Sequence, residues 1–155
     1  MDSKEKLRRI LNRTRTIAVV GLSAVWNRPS YFAAKYLQDH GYRIIPVNPS
    51  YEEILGEKCY PSLLDIPEPV DVVNIFRKPE DVPSIVEDAI KIGAKVVWMQ
   101  LGIINKEAAK VAGEAGLEVV MNHCMKIEHA RLLSKELATI GVYRGVISSR
   151  RERLV

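Results

Sequence analysis

The chain carries a series of short, apolar, β-branched runs with almost no polar alternation, and this constrains the fold more than any other feature. Thr16-Ile17-Ala18-Val19-Val20 ends at Gly21, and comparable runs span Tyr42–Val47, Val70–Phe76, Lys95–Leu101 and Leu117–Met121. A strand solvated on one face would alternate. Unbroken runs suit strands covered on both faces, as in a parallel sheet. Helical patterns fill most of the intervals. Ser30–His40 stops at Gly41, Glu80–Lys91 places Val82, Ile85, Val86, Ala89 and Ile90 on one face, and Asn105–Ala115 starts at a good N-cap and stops at Gly116. A last helix is expected over Lys126–Thr139, and Leu7, Ile10 and Leu11 mark a short amphipathic helix near the start, capped by Asp2 or Ser3. Between Asn48 and Pro69, prolines and Gly56 break the pattern, which predicts an irregular crossover with a short strand near Lys58–Tyr60 and one helical turn at Ser62–Asp65.

Strands alternating with helices predict an α/β, Rossmann-like open parallel sheet of five or six strands with helices on both faces. At 155 residues the expectation is one such domain over residues 15–140, with the helix of residues 1–14 packed on it and a basic tail at 141–155. The net charge of +4 favours anionic ligands, but the Lys and Arg residues are dispersed except in that tail, so no nucleic-acid partner is expected. Two cysteines, Cys59 and Cys124, form no CxxC pair, which speaks against a disulfide framework or a zinc site. Met1–Arg9 is charged rather than apolar, and no run approaches the ~20 residues of a membrane span, so a cytoplasmic chain without a membrane role is expected.

In an open parallel sheet, ligands sit beyond the carboxyl ends of the strands. The loop after the first strand, Gly21–Ser30, is the most informative part of that rim. Gly21 would let a ligand approach closely, Ser23, Asn27 and Ser30 offer hydrogen bonds, Arg28 offers charge, and a helix starts beside them. Together these suit a diphosphate. A dinucleotide fingerprint would need GxGxxG, whereas the window reads Gly21-Leu22-Ser23-Ala24-Val25-Trp26, and Asn48 stands where an acidic ribose ligand belongs. An NAD(P)-dependent oxidoreductase or redox sensor is therefore the rival reading.

The segments Val19–Ser23, Asn27–Ser30, Ile45–Pro49, Gly56–Pro61, Asp65–Pro67, Val70–Val73, Gln100–Gly102 and Asn122–Lys126 together resemble the stand-alone CoA-binding domain proteins. These are similar to the CoA-binding domain of the succinyl-CoA synthetase α subunit and of the ADP-forming acyl-CoA synthetases. The resemblance covers roughly residues 5–137. It implies coenzyme A as the ligand, with Gly21, Ser23 and Arg28 at the phosphates and Val47, Asn48 and Pro49 along the nucleotide. Arg77 and Lys78 would flank it, and Gln100, Gly102, Asn122 and Cys124 would form the far wall. Trp26 is placed either on the adenine or against its own fold. In the synthetases this domain is followed by one with a phosphorylated histidine and works with an ATP-grasp partner. This chain stops soon after its last helix, so synthetase activity is not expected of it.

No catalytic constellation stands out. His40 ends a helix, where a positive side chain suits the dipole. His123 and Cys124 are adjacent at a strand end and should point opposite ways. With His129 they lack a fourth metal partner. Cys124 or Cys59 remains a candidate for a mixed disulfide with the CoA thiol. The expected function is binding of CoA or acyl-CoA without turnover, and the further partners considered are a second copy of the chain or an acyl-CoA enzyme that it regulates.

Overall fold

The computed structural model describes residues 2–134. The tail at 141–155 and the end of the expected last helix lie outside the described residues. The main sheet is built from β1 (Thr16–Val20), β2 (Arg43–Val47), β5 (Val72–Ile75), β6 (Val96–Met99) and β7 (Glu118–Val120), and β3 (Glu53–Ile54) and β4 (Glu57–Lys58) form a small hairpin. The sheet order is β2-β1-β5-β6-β7, and every pairing in it is parallel. This is the expected Rossmann-like α/β sheet.

The continuous apolar runs work as anticipated, with each strand feeding two cores. Ile17 and Val19 join Ile44, Val72 and Trp98 on one face, while Ala18 and Val20 join Ile45, Val73, Ile75 and Val97 on the other. The first face is covered by α1 (Lys4–Arg13), α2 (Pro29–Asp39) and α5 (Met125–His129), which runs on into a π-helical turn over Ala130–Ser134. The second is covered by α3 (Val82–Lys91) and α4 (Lys106–Glu114). No helix among the described residues is long and apolar enough to cross a membrane.

Local chemistry sets the ends of these elements. Ser3 caps α1 by accepting from the Lys6 amide at 3.1 Å, and Asn105 caps α4 by accepting from Ala108 at 3.0 Å. The start of α2 differs from the sequence reading. Arg28 occupies the N-cap position with extended backbone angles, Pro29 is the first helical residue, and Ser30 lies inside the first turn. Similarly, α3 begins only at Val82, because a 3₁₀ turn over Pro79–Asp81 leads into it. The irregular crossover contains the expected turn at Leu63–Asp65. In place of a lone strand it holds the β3–β4 hairpin, after which Tyr60 makes a parallel bridge to Val47 at the open edge of β2. Pro46, which cannot donate to a ladder, is tolerated on that edge strand.

Candidate functional site

On one side of β1 lies the next strand along the chain, β2, and on the other lies β5. The helix leaving β1 covers one face of the sheet, and the helix leaving β5 covers the other. The two loops therefore diverge and leave a crevice between the carboxyl ends of β1 and β5. Two cavities open along this rim. A long groove of about 1210 Å³ runs between the start of α2, the loop after β5, the end of β6 and α5. A smaller pocket of about 230 Å³ lies between the ends of β1 and β2 and the first turn of α3. Arg77 and Asp81 border both.

Gly21 is held by its own protein more than by any space left for a ligand. Its φ is +87°, and a Cβ there would come within 2.4 Å of the Phe76 carbonyl oxygen and 2.9 Å of the Arg77 Cδ. Only glycine lets the β1 loop lie against the end of β5 with the Arg77 side chain drawn across it. This corrects the reason the sequence suggested, since the room a side chain would need is filled by strand backbone. Gly21 nonetheless borders the smaller pocket, with Val47, Asn48 and Pro49. Asn48 is fully engaged in shaping that wall: its amide donates to the Leu22 carbonyl at 3.0 Å, and its oxygen accepts from the Ser50 amide at 2.9 Å.

The structure sorts the remaining sequence candidates into two sets. Asn27, Arg77, Lys78, Gln100 and Cys124 border the long groove. Ser23, Arg28, Ser30, Gly102 and Asn122 border neither cavity. Ser30 is buried, and its hydroxyl accepts the Ser23 amide at 3.0 Å, while the Ser23 hydroxyl accepts the Val25 amide at 3.0 Å. These two serines organise the loop. Asn122 adopts a positive φ of 63° and accepts the Gly102 amide at 2.7 Å, which ties the ends of β6 and β7 together. Trp26 is 71% exposed, so it does not pack on its own fold.

Sequence reasoning missed the apolar lining. Phe32, Phe76, Ile103 and Ile127 border the groove beside Lys126 and Asp81. Topology assigns strand ends to the rim, but Phe32 and Ile127 reach it from helices and Ile103 from a later loop. A signal was present for two of them. Phe32 falls off the buried stripe of α2 (Ser30, Ala33, Ala34, Leu37), and Ile127 falls between the buried residues of α5, so the core accounts for neither. Asn74, in the middle of β5, is a second omission. It is 1% exposed, and both polar atoms of its side chain lack a hydrogen-bond partner among the described residues. The Gln100 side-chain oxygen is buried and unpartnered in the same way.

The other reactive groups are spread apart. The His123 Nε2 faces Asp2 at 3.5 Å, whereas Cys124 borders the groove, so the adjacent pair diverges. His129 is buried, with Nδ1 3.0 Å from the Tyr36 hydroxyl. His40 donates back to the Tyr36 carbonyl, stacks on its ring at 3.9 Å and caps α2. Cys59 is buried against the Asn48 carbonyl, and burial pushes its thiol pKa up despite that hydrogen bond. Burial likewise pushes the Tyr42 hydroxyl up to about 12, where it donates to the Leu11 carbonyl as a structural group.

A family model described as a CoA binding domain matches residues 15–130. The chain belongs to that family. Among relatives, the uncharacterized protein YneT of Bacillus subtilis is 44% identical over 128 residues, which is 83% of this chain and 95% of YneT. The ADP-forming acetate–CoA ligase of Methanocaldococcus jannaschii is 33% identical over 143 residues, covering 86% of this chain and 20% of the ligase. The chain thus spans about a fifth of that enzyme. A solved structure of a hypothetical protein from Pyrococcus horikoshii OT3 superposes with a TM-score of 0.83 at 53% identity, over 85% of this chain and 93% of the other. The family and the fold were both legible from the sequence.

Proposed function

We propose that this protein binds coenzyme A or an acyl-CoA at the carboxyl ends of β1, β2, β5 and β6, and performs no turnover on its own. The observation that carries this reading is the junction at Arg77, whose side chain borders both the small pocket and the long groove. CoA has a matching division, with a compact phosphorylated nucleotide joined through a diphosphate to a long, flexible arm. In this reading the nucleotide rests against Val47, Asn48 and Pro49, Arg77 and Lys78 neutralise phosphate, and the arm follows the groove past Gln100 to Cys124. Asn48 weighs against NAD: it is not acidic, and its amide is already engaged by Leu22 and Ser50, so it offers no carboxylate to a ribose diol.

The divergence of His123 from Cys124 supports a binding role, because neither residue presents the other with a base or a nucleophile. Relatives that are acetate–CoA ligases support a further proposal, that the loaded protein serves an acyl-CoA enzyme as a partner.

Titration of the purified chain with CoA, dephospho-CoA, NAD and NADP tests the reading. Micromolar binding of CoA, weakened for dephospho-CoA, is expected. Binding of NAD without CoA would overturn it in favour of an oxidoreductase or redox sensor.

A further inference from the structure

Charged residues of both signs border the long groove after β5, where Arg77 and Lys78 stand with Glu80 and Asp81, while Phe32, Ala33, Leu101, Ile103 and Ile127 give it an apolar lining contributed by other elements. Three of these side chains are largely in solvent: Phe32 is 49% exposed, Leu101 60% and Ile127 50%. A single exposed apolar side chain needs no explanation. These three come from α2, the loop after β6 and α5, and converge on one groove, which is how a surface built for an apolar occupant differs from scatter. Neither Phe32 nor Ile127 belongs to the buried residues of its helix, so core packing does not require them to be apolar.

Gln100 borders the groove but is only 7% exposed, and its side-chain oxygen is buried away from it, so it adds no open acceptor to the lining. Beside the exposed apolar side chains stands Lys126, whose ammonium lies 5.9 Å over the rings of Phe32 and Tyr36. At about 1210 Å³ the groove also exceeds the ~300–1,000 Å³ that usually encloses a drug-sized ligand.

We propose that the apolar part of the groove is a subsite for an aliphatic acyl chain, so that the preferred ligand is a CoA thioester of an aliphatic acid rather than free CoA. This rests on the reading of the site as a CoA site. The lining fits such an amphiphile in one orientation, with phosphate drawing Arg77 from its exposed Asp81 pair and meeting Lys78, and the uncharged tail between Phe32, Leu101 and Ile127. A second copy of the chain seated on these apolar side chains would account for their exposure, but not for the continuity of the groove, through Arg77, with the smaller pocket.

Calorimetric titration of the full chain with free CoA and with acetyl-, butyryl-, hexanoyl- and octanoyl-CoA tests this. The dissociation constant should tighten by about two- to fourfold per methylene newly buried, until the groove is filled. In the Phe32→Ser/Ile127→Ser double variant, the ratio of octanoyl-CoA to CoA affinity should fall at least tenfold; far-UV circular dichroism and a melting curve report whether that variant is folded. If free CoA binds and wild-type affinity is flat across the series, the acyl subsite is overturned while the CoA reading stands. If neither CoA nor any thioester binds, the CoA reading itself has failed. Octanoate alone binding as tightly as octanoyl-CoA would overturn the tethered form of the proposal. So would light scattering that shows a wild-type dimer lost in the double variant, together with a flat affinity series.

Discussion

The two ends of the sheet differ in how far their charged side chains are paired and their apolar ones covered. At the amino ends of the strands, charges answer one another. Arg9 meets Glu118 through paired contacts at 2.6 Å, and Arg43 meets Glu68 and Glu57. Asp71 accepts from the Arg15 and Thr16 amides at 2.9 and 3.1 Å and pairs with Lys95 at 3.4 Å. At the carboxyl ends, Gln100 has an unpartnered buried oxygen, Lys78 and Lys126 border an open groove, and large apolar side chains stand in solvent. The first arrangement closes an end of the fold. The second leaves charged and apolar side chains along an open groove. The same residue types are present at both ends, so the distinction lies in whether the partner of each group is supplied by the chain itself.

The largest effect is expected where the open end rests on backbone shape. In Gly21→Val the new side chain must displace the Phe76 carbonyl, and a β-branched residue must adopt φ near +87°. The left-handed backbone costs roughly 1–2 kcal/mol and the overpacking about 1–3 kcal/mol more. A urea midpoint lowered to match, with CoA binding lost by at least ~100-fold, is the expected result. Unchanged stability would mean that the close approach to β5 is not a constraint. Next comes Arg77→Gln. A charge-assisted hydrogen bond to phosphate contributes about 1.5–3 kcal/mol, so CoA affinity should fall about 10- to 100-fold and its salt dependence should weaken. Melting should barely change, because the only partner the structure gives the Arg77 side chain among the described residues is Asp81, through an exposed pair at 3.3 Å.

Asp71 is the counterpart at the closed end. Burial alone would raise its pKa, but the Arg15 and Thr16 amides and Lys95 outweigh that and hold the carboxyl below its usual 3.8. A depressed folded pKa means that the stabilisation is present above the unfolded value and is lost as pH falls through the folded one. Asp71→Asn should therefore cost about 1–2 kcal/mol at pH 7, with the gap from wild type closing below about pH 3.8 as the wild-type carboxyl protonates. Melting curves from pH 7 to pH 2.5 measure this, and a gap that widens on acidification would refute the assignment. CoA affinity at neutral pH should stay as it was, which separates the two ends.

How much of this was legible in advance follows from what each feature depends on. The two-faced strands could be read because Thr16–Val20 and its counterparts must satisfy two cores at once, and that leaves an unambiguous apolar run. The rim residues Asn48, Arg77 and Gln100 could be read because topology alone assigns them to strand ends. The partner of each rim residue was not legible. Nothing local distinguishes Ser30, whose oxygen closes the loop onto Ser23, from a serine free to meet phosphate. The helix pattern likewise placed Phe32 on α2 without revealing that a groove passes over it.

Asn74 sharpens the comparison from inside the sheet. It sits in register between Val19 and Trp98, in the same core as apolar neighbours, with its amide unanswered among the described residues. Asn74→Val removes the unsatisfied amide with the smaller change in bulk that a β-branched strand residue brings, so it should raise stability by about 1 kcal/mol, the reverse of the Asp71 result. If Asn74→Val and the smaller Asn74→Ala are both destabilised by more than about 3 kcal/mol, the amide is satisfied in solution.

The smallest effect should come from the closed end's exposed pair. Arg43 opens β2, the edge strand, and holds Glu68 in two contacts at 2.5 and 2.8 Å, with both side chains about a third to a half in solvent. The guanidinium keeps the Glu68 carboxyl below its ordinary range. Exposure discounts what that is worth, because water and salt screen the attraction, and exposed pairs contribute about 0.2–1 kcal/mol. Arg43→Gln should lower stability by no more than that at low ionic strength, and by almost nothing in 1 M salt, where the Debye length falls to about 3 Å. A salt-independent loss would show that Arg43 acts through packing along the edge of β2. The closed end would then owe its stability to shape, and its ion pairs would be incidental.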